Sequence, residues 1–284
     1  MESHLPPEYY SPTYLDEALD LMSSRRLDLV AGGTDFYPAR GRSPITRDIL
    51  DITRVEGLRG IEQSKEGIVR IGAATTWTDI AKANLSQAFS ALQQAAREVG
   101  GIQIQNSGTV AGNLCNASPA ADGIPPLLTL DAEIEVADSV GVRRQALCDF
   151  ITGVRKTTKT SSEMVTAVYI KMPPDHSTSA FEKLGARKYM IISIAMTAVI
   201  IGLDRSGYVD YARIAVGACS PVAQRLRSLE ADIIGQKISD ICIFESYLEP
   251  LVPIADIRAS EEFRSEVVVE QIYRALHKAI GNYG

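Results

Sequence analysis

Apolar residues along this chain recur with two periods, and the switches between them mark its elements. Leu15, Leu19 and Met22 share one face at helical spacing, with Asp16 and Glu17 in the first turn and Thr13 as the expected N-cap. Residues 27–31 and 49–52 are short apolar runs of the kind that make buried strands. After the glycines of "EGLRG" come a strand over 68–73, a short helix capped by Thr78 and a helical pattern over 87–99. Residues 132–147 predict a hairpin around "DSVG", and 164–172 a further strand. Residues 180–184, 191–203 and 213–217 then predict an antiparallel sheet followed by helices. The last helix begins after Ser260, with Glu261 and Glu262 well placed against its dipole and Val267, Val268, Ile272, Leu276 and Ile280 on an apolar stripe.

Two stretches break this patterning. Residues 100–126, "GGIQIQNSGTVAGNLCNASPAADGIPP", read as a long irregular segment, too apolar for a disordered linker and of a length that often carries function. "PPDHSTS" at 173–179 reads as a linker. The chain is expected to divide into residues 1–55, 56–174 and 175–284.

With 284 residues, 45% hydrophobic and 23% charged, the chain can bury a real core. A formal net charge of −6 argues against a purely polyanion-binding role. The start "MESHLPPEYY" has neither the basic, apolar character of a signal peptide nor the composition of a transit peptide, so a cytoplasmic protein is expected. The most apolar run, 191–203, is shorter than the about 20 residues that cross a bilayer. Cys115, Cys148, Cys219 and Cys242 are widely separated and form no C-x-x-C pair, which predicts buried free thiols and no metal site. His4, His176 and His277 are too scattered to suggest an acid–base or metal trio, and Trp77 reads as a core or interface anchor or as a stacking partner for an aromatic ligand.

Neither G-x-G-x-x-G after a strand nor G-x-x-x-x-G-K-[ST] occurs. Instead there are two separated glycine loops, "AGGTD" at 31–35 and "GTVAG" at 108–112 followed by Asn113. Each can be an ordinary tight turn. Each can also be bare backbone whose successive N–H groups cradle phosphate oxygens, with Thr34 and Thr109 as added donors.

Taken together, "LVAGGTD", "QIQNSGTVAGNLCNASPAADGIPPLLTLDAEIEV", "FEKLGARK" and "DIRASEEFR", in this order, resemble the FAD-binding medium subunit of molybdenum hydroxylases, the xanthine dehydrogenase and carbon monoxide dehydrogenase relatives. The resemblance spans nearly the whole chain. It implies an α+β flavoprotein of the vanillyl-alcohol-oxidase (PCMH) type: FAD-binding subdomains over 1–55 and 56–174, and a C-terminal α+β domain over 175–284, with an antiparallel sheet and helices, closing over the flavin. It further implies an oxidoreductase in a heteromeric complex. A large molybdopterin subunit oxidises substrate, a small subunit relays electrons through two [2Fe–2S] clusters, and this chain passes them through FAD to NAD+ or another acceptor.

By the resemblance, Val30, Ala31, Gly32, Gly33, Thr34 and Asp35 form one FAD pyrophosphate loop, and Thr109, Val110, Ala111, Gly112 and Asn113 the other. Asp122 matches a flavin-contacting aspartate expected to bond the adenosine half, and Val165 an apolar contact near the adenine. Lys183 and Ile191 match the part that approaches the isoalloxazine; a register one residue earlier puts Glu182 in place of Lys183. The chain departs from the family at Gln105, where "QIRN" has arginine, at Ala111, where "GGN" has glycine, and at Phe263, where "YR" has tyrosine. Ala111 is therefore expected in an ordinary backbone region. Asp35 is expected to turn its charge into the loop's own N–H groups, since a carboxylate beside a pyrophosphate is otherwise repulsive. The cysteine-rich insertion of some members is lacking, so no iron–sulfur cluster is expected in this chain. Asp256 and Arg258 are expected in a structural or partner contact. Two further readings stand beside this one: a self-sufficient flavin oxidase or reductase of the vanillyl-alcohol oxidase type, and a scaffold subunit that has lost FAD.

Overall fold

The computed structural model describes residues 6–185, 192–253, 255 and 259–281. His4, Ile191, Asp256 and Arg258 lie outside them. A three-stranded parallel sheet comes first, from β1 (Tyr9–Tyr10), β2 (Leu27–Val30) and β3 (Asp48–Asp51) in the order β1-β3-β2. Parallel neighbours cannot be joined by a tight turn, so α1 (Leu15–Ser24) and α2 (Phe36–Arg40) make the crossovers, and the first glycine loop falls between β2 and α2. Thr13 does not cap α1. The N-cap is Tyr14, without a side-chain bond, because Thr13 is tied elsewhere: its carbonyl accepts the Glu56 N–H at 2.8 Å.

The second sheet is antiparallel, with β4 (Ile61–Gln63), β5 (Ile68–Gly72), β6 (Glu133–Ala137), β7 (Val142–Ala146) and β10 (Met164–Lys171) in the order β4-β5-β10-β6-β7. A small ribbon joins β8 (Ile151–Gly153) to β9 (Lys156–Thr157). Six helices belong to this region: α3 (Trp77–Lys82), α4 (Ser90–Glu98), α5 (Ile102–Ser107), α6 (Val110–Asn116), α7 (Ile124–Thr129) and α8 (Leu147–Phe150). The stretch 100–126, expected to be irregular, is thus mostly helical. Its glycines and prolines stand where helices tolerate them: Gly101 and Gly108 flank α5, and Pro125 and Pro126 lie in the first turn of α7, where a missing N–H is harmless. Thr76, rather than Thr78, caps α3. Its hydroxyl accepts the Asp79 N–H at 3.2 Å while the Asp79 carboxylate accepts the Thr76 N–H at 3.1 Å, and Thr78 donates instead to Asn106 Oδ1 at 2.6 Å.

The third sheet runs β11 (Thr178–Leu184), β12 (Ala195–Leu203), β13 (Val209–Gly217), β14 (Gln224–Arg225), all antiparallel, and is followed by α9 (Arg227–Asp232) and α10 (Glu261–Gly281). Val268, Ile272, Leu276 and Ala279 of α10 bury against one face. Ala91 and Ala95 of α4 pack with Phe181, Met196 and Ala198 on the other, which joins this sheet to the region before it. Residues 177–179 are no solvated linker. Ser179 Oγ accepts the Ala91 N–H at 2.8 Å and Thr178 Oγ1 donates to the Ala279 carbonyl at 2.8 Å, so hydroxyls that look like linker chemistry satisfy buried backbone.

All four cysteines are free, but only Cys219 is fully buried and Cys115 partly so. Cys148 and Cys242 are exposed, each next to a buried residue, Leu147 or Ile241. Among the described residues no helix is long and apolar enough to cross a membrane. Thr76→Ala is expected to destabilise the protein by about 1 kcal/mol, with Thr76→Ser close to wild type, as read from chemical unfolding.

Candidate functional site

Beyond Val30 the chain turns through Ala31, Gly32, Gly33, Thr34 and Asp35 into α2. Gly33 has φ +66°, and a Cβ there would also stand 2.8 Å from the Tyr37 ring. Among the described residues, the N–H groups of Gly32, Gly33, Thr34 and Asp35 have no acceptor. Four consecutive unpaired donors in a turn are suited to an anionic oxygen.

The second glycine segment lies directly against this turn. A Cβ on Gly32 would stand 1.7 Å from the Ser107 carbonyl oxygen, so no side chain fits there. A Cβ on Gly108 would come 3.3 Å from Thr34 Oγ1. Most donors of this second segment are already engaged. Val110 N–H donates to the Thr75 carbonyl at 3.0 Å, Ala111 to Ala73 at 3.2 Å and Asn113 to Thr109 at 3.1 Å, and Gly112 donates to Thr109 Oγ1 at 3.1 Å. Two donor loops facing one another were expected; among the described residues the first has four successive N–H groups without an acceptor, and the second only that of Thr109. Ala111 sits in α6 with ordinary helical geometry, so the missing glycine brings no strain. Asn113 Oδ1 is buried without a donor, next to the space beside Gly123.

The two segments border a cleft of about 520 Å³, within the usual range for ligand pockets. Val30 to Asp35, Thr109, Ala111, Gly112, Asn113 and Val165 line it. Val110 does not: its side chain is wholly inside the core. Trp77, read as a core anchor or as a stacking partner, is both buried and part of the cleft wall, whereas Lys159 and Ser161, from the polar run "KTTKTSSE", had no motif to mark them. Cys115 also borders the cleft, and burial pushes its thiol up to about 11, which leaves it protonated and unreactive at neutral pH.

Asp122 and Lys183 lie apart from the cleft lining and pair with each other. Lys183 Nζ is 2.7 Å from Asp122 Oδ2 and 3.1 Å from the Glu98 carbonyl, and Ser193 Oγ donates to Asp122 Oδ1 at 2.7 Å. Burial pushes the Asp122 carboxyl up, against the opposing pull of Lys183 and Ser193. The two candidate positions alternate along β11. Glu182 faces the other way and pairs with Lys278 at 2.8 Å. Asp35 does not fold onto its own loop as expected; Arg155 Nη1 holds its carboxylate at 2.9 Å.

A carboxylate also fixes the turn that carries Lys159 and Ser161. Glu163 takes a bidentate pair from Arg143, at 2.7 and 3.0 Å, and accepts the Thr160 N–H at 2.8 Å. The Arg143 hydrogen bonds hold its carboxyl down to about 2.

Comparison with known proteins fits this geometry. Residues 4–173 match the model of the FAD binding domain in molybdopterin dehydrogenase, and residues 179–279 that of the CO dehydrogenase flavoprotein C-terminal domain. The chain belongs to this family of molybdopterin-dehydrogenase flavoproteins. FAD is its cofactor, and it is an oxidoreductase subunit. It is 31% identical over 285 residues to the xanthine dehydrogenase FAD-binding subunit of Escherichia coli O157:H7, covering 97% of each chain. It is 31% identical over 240 residues to the nicotinate dehydrogenase FAD-subunit of Eubacterium barkeri, covering 82% of this chain and 81% of that one. Its fold is that of a chain in the carbon monoxide dehydrogenase of Hydrogenophaga pseudoflava, with a TM-score of 0.86 at 24% identity and 98% of each chain covered.

Two outcomes are expected. Glu163 has its folded pKa depressed from 4.5 to about 2, so its contribution to stability is full above pH 4.5 and is lost as the pH falls toward 2. Urea midpoints of wild type and Glu163→Gln should therefore differ near neutrality and converge on acidification. Gly32→Ala should force the two glycine segments apart and lower stability by about 2 kcal/mol or more, whereas Gly141→Ala, with nothing within 4 Å of the added carbon, should be near neutral in the same unfolding assay.

Proposed function

We propose that this chain is the electron-transfer flavoprotein subunit of a molybdopterin-dependent hydroxylase or dehydrogenase complex. It takes electrons from [2Fe–2S] clusters of a small partner subunit, which is supplied by a large molybdopterin subunit, and delivers them to NAD+ or another acceptor. The fold that serves this is of the vanillyl-alcohol-oxidase type, with FAD-binding subdomains over 1–55 and 56–174 and a closing domain over 175–284. The observation that carries the reading is the row of four unpaired N–H groups from Gly32 to Asp35 at the edge of the cleft.

These residues fit a cofactor with a pyrophosphate. The Gly32, Gly33, Thr34 and Asp35 N–H groups and the Thr34 and Thr109 hydroxyls would bind its oxygens, where charge-assisted bonds contribute on the order of 1.5–3 kcal/mol each. Ala31, Ala111 and Gly112 would let it approach the backbone, while Val110 holds α6 to the core behind it. Asn113 Oδ1, buried without a donor, would accept from one of its hydroxyl or N–H groups. Val30 and Val165 offer apolar wall. Asp122 would bond the adenosine half, and Lys183 and Ile191 would belong to the part of the chain that approaches the redox-active ring. FAD, when bound, supplies chemistry in both one-electron and two-electron steps, so the protein's part is to bind, orient and screen it.

Two features favour retained cofactor and no independent oxidase activity. Gln105, a departure from the family pattern, donates to the Arg97 carbonyl at 2.7 Å and does not line the cleft. His176 bonds Asp210 at 2.8 Å and His277 lies exposed on α10, and neither lines the cleft. The chain, stripped of flavin, is expected to take up one FAD per molecule with a change in flavin fluorescence. Gly33→Val, a branched side chain at φ +66°, should abolish uptake while far-ultraviolet circular dichroism stays near wild type. Unchanged uptake by Gly33→Val would falsify the assignment of the turn.

A further inference from the structure

The turn that offers its N–H groups also carries a carboxylate, and the structure holds that carboxylate away from them. Asp35 is the N-cap residue of α2 yet makes no side-chain cap bond. An aspartate at this position ordinarily accepts from the first N–H groups of its helix. Here Oδ2 accepts from Arg155 Nη1 at 2.9 Å, across 120 residues of sequence. The same Nη1 also donates to Asn116 Oδ1 in the last residue of α6.

The backbone presets the place of this guanidinium. Arg155 lies in the turn between β8 and β9 at φ +57°, in the left-handed region that residues with a Cβ rarely adopt. Its N–H donates to the carbonyl of Ala117 at 2.9 Å, and Ala117, the residue after α6, is itself left-handed at φ +45°. Two unfavourable conformations joined by one hydrogen bond pin the β8–β9 turn to α6. From there Arg155 reaches over to the first glycine loop.

We propose that Arg155 is a positioning residue for cofactor binding: it draws the Asp35 carboxylate off the N–H groups of residues 32–35 and cancels its charge, so that the turn accepts a pyrophosphate. The proposal rests on the cofactor reading above. Without the guanidinium, Asp35 would compete with phosphate oxygens for the same donors and repel them as well. Asp35 and Arg155 are each about half exposed, at 51% and 54%, so the repulsion would be screened by salt.

The test is FAD binding by the flavin-stripped full chain, followed by flavin fluorescence at low and high ionic strength. The variants are Arg155→Gln, Arg155→Lys, Asp35→Asn and the double variant Asp35→Asn with Arg155→Gln. Every replacement keeps a Cβ, so the strain at residue 155 is unchanged. Arg155→Gln should bind roughly tenfold more weakly at low salt. That gap should narrow in about 1 M salt, where the screening length falls to about 3 Å. Arg155→Lys and the double variant should bind close to wild type, and Asp35→Asn alone at least as tightly. A merely structural role predicts a loss that is indifferent to salt and not rescued by Asp35→Asn. Wild-type affinity in Arg155→Gln, or a double variant as weak as Arg155→Gln, overturns the proposal while leaving the cofactor reading intact. A wild-type chain that takes up no FAD overturns both.

Discussion

Where Gly32 meets the Ser107 carbonyl, two backbones occupy a space that admits no side chain, and the arrangement of the cleft follows from that contact. The segment carrying Ser107 and Gly108 is a fixed shelf. Gly108 accepts the Trp77 N–H at 3.1 Å, Thr76 and Thr109 form an antiparallel bridge, and the carbonyls of Ala73 and Thr75 hold the start of α6. Most of its hydrogen-bonding capacity is consumed in being rigid. The turn after β2 leans on this shelf, and its own N–H groups remain unpaired. One loop supplies position and the other supplies donors, a division that two similar-looking glycine patterns do not announce.

What could be read in the sequence was what depends on local composition. Buried strands need a high density of apolar residues, so β5, β10 and β12 stand out, and the stripe on α10 follows from its period. The glycine loops were visible as turns, and the family could be recognised from the motifs around them. Which N–H groups stay free was not visible, because that is decided by carbonyls at residues 73 and 75. Residues 100–126 misled because glycine and proline count as breakers in a linear reading, whereas here they stand at helix ends. The caps failed for a related reason. "TYLD" and "TTWTD" each offer more than one polar residue or start point, and the backbone ties of Thr13 and Thr76 make the choice. Arg155 left no trace at all, since its left-handed turn lacks the glycine that would have marked it.

The third sheet is attached to the rest by polar groups inside an apolar interface. Besides the Ser179 bond to α4, Arg225 reaches across to the Leu128 carbonyl at 2.9 Å and to Asp131 at 2.7 Å while Glu230 holds its other side. Directional bonds of this kind add little net stability, but they exclude sliding of one layer over another, which apolar contact alone permits. The C-terminal sheet is thereby held in one register against α4 and α7.

The Asp122–Lys183 pair crosses the same boundary, with both side chains less than one-tenth exposed. Removing either member of such a pair strands a buried charge, at a cost of roughly 3–5 kcal/mol, whereas replacing both with neutral groups of similar volume can be close to neutral. The two positions are therefore a single heritable unit. Descent can alter them together, by compensating steps in quick succession, but the path through either single change runs across most of the margin by which a domain stays folded.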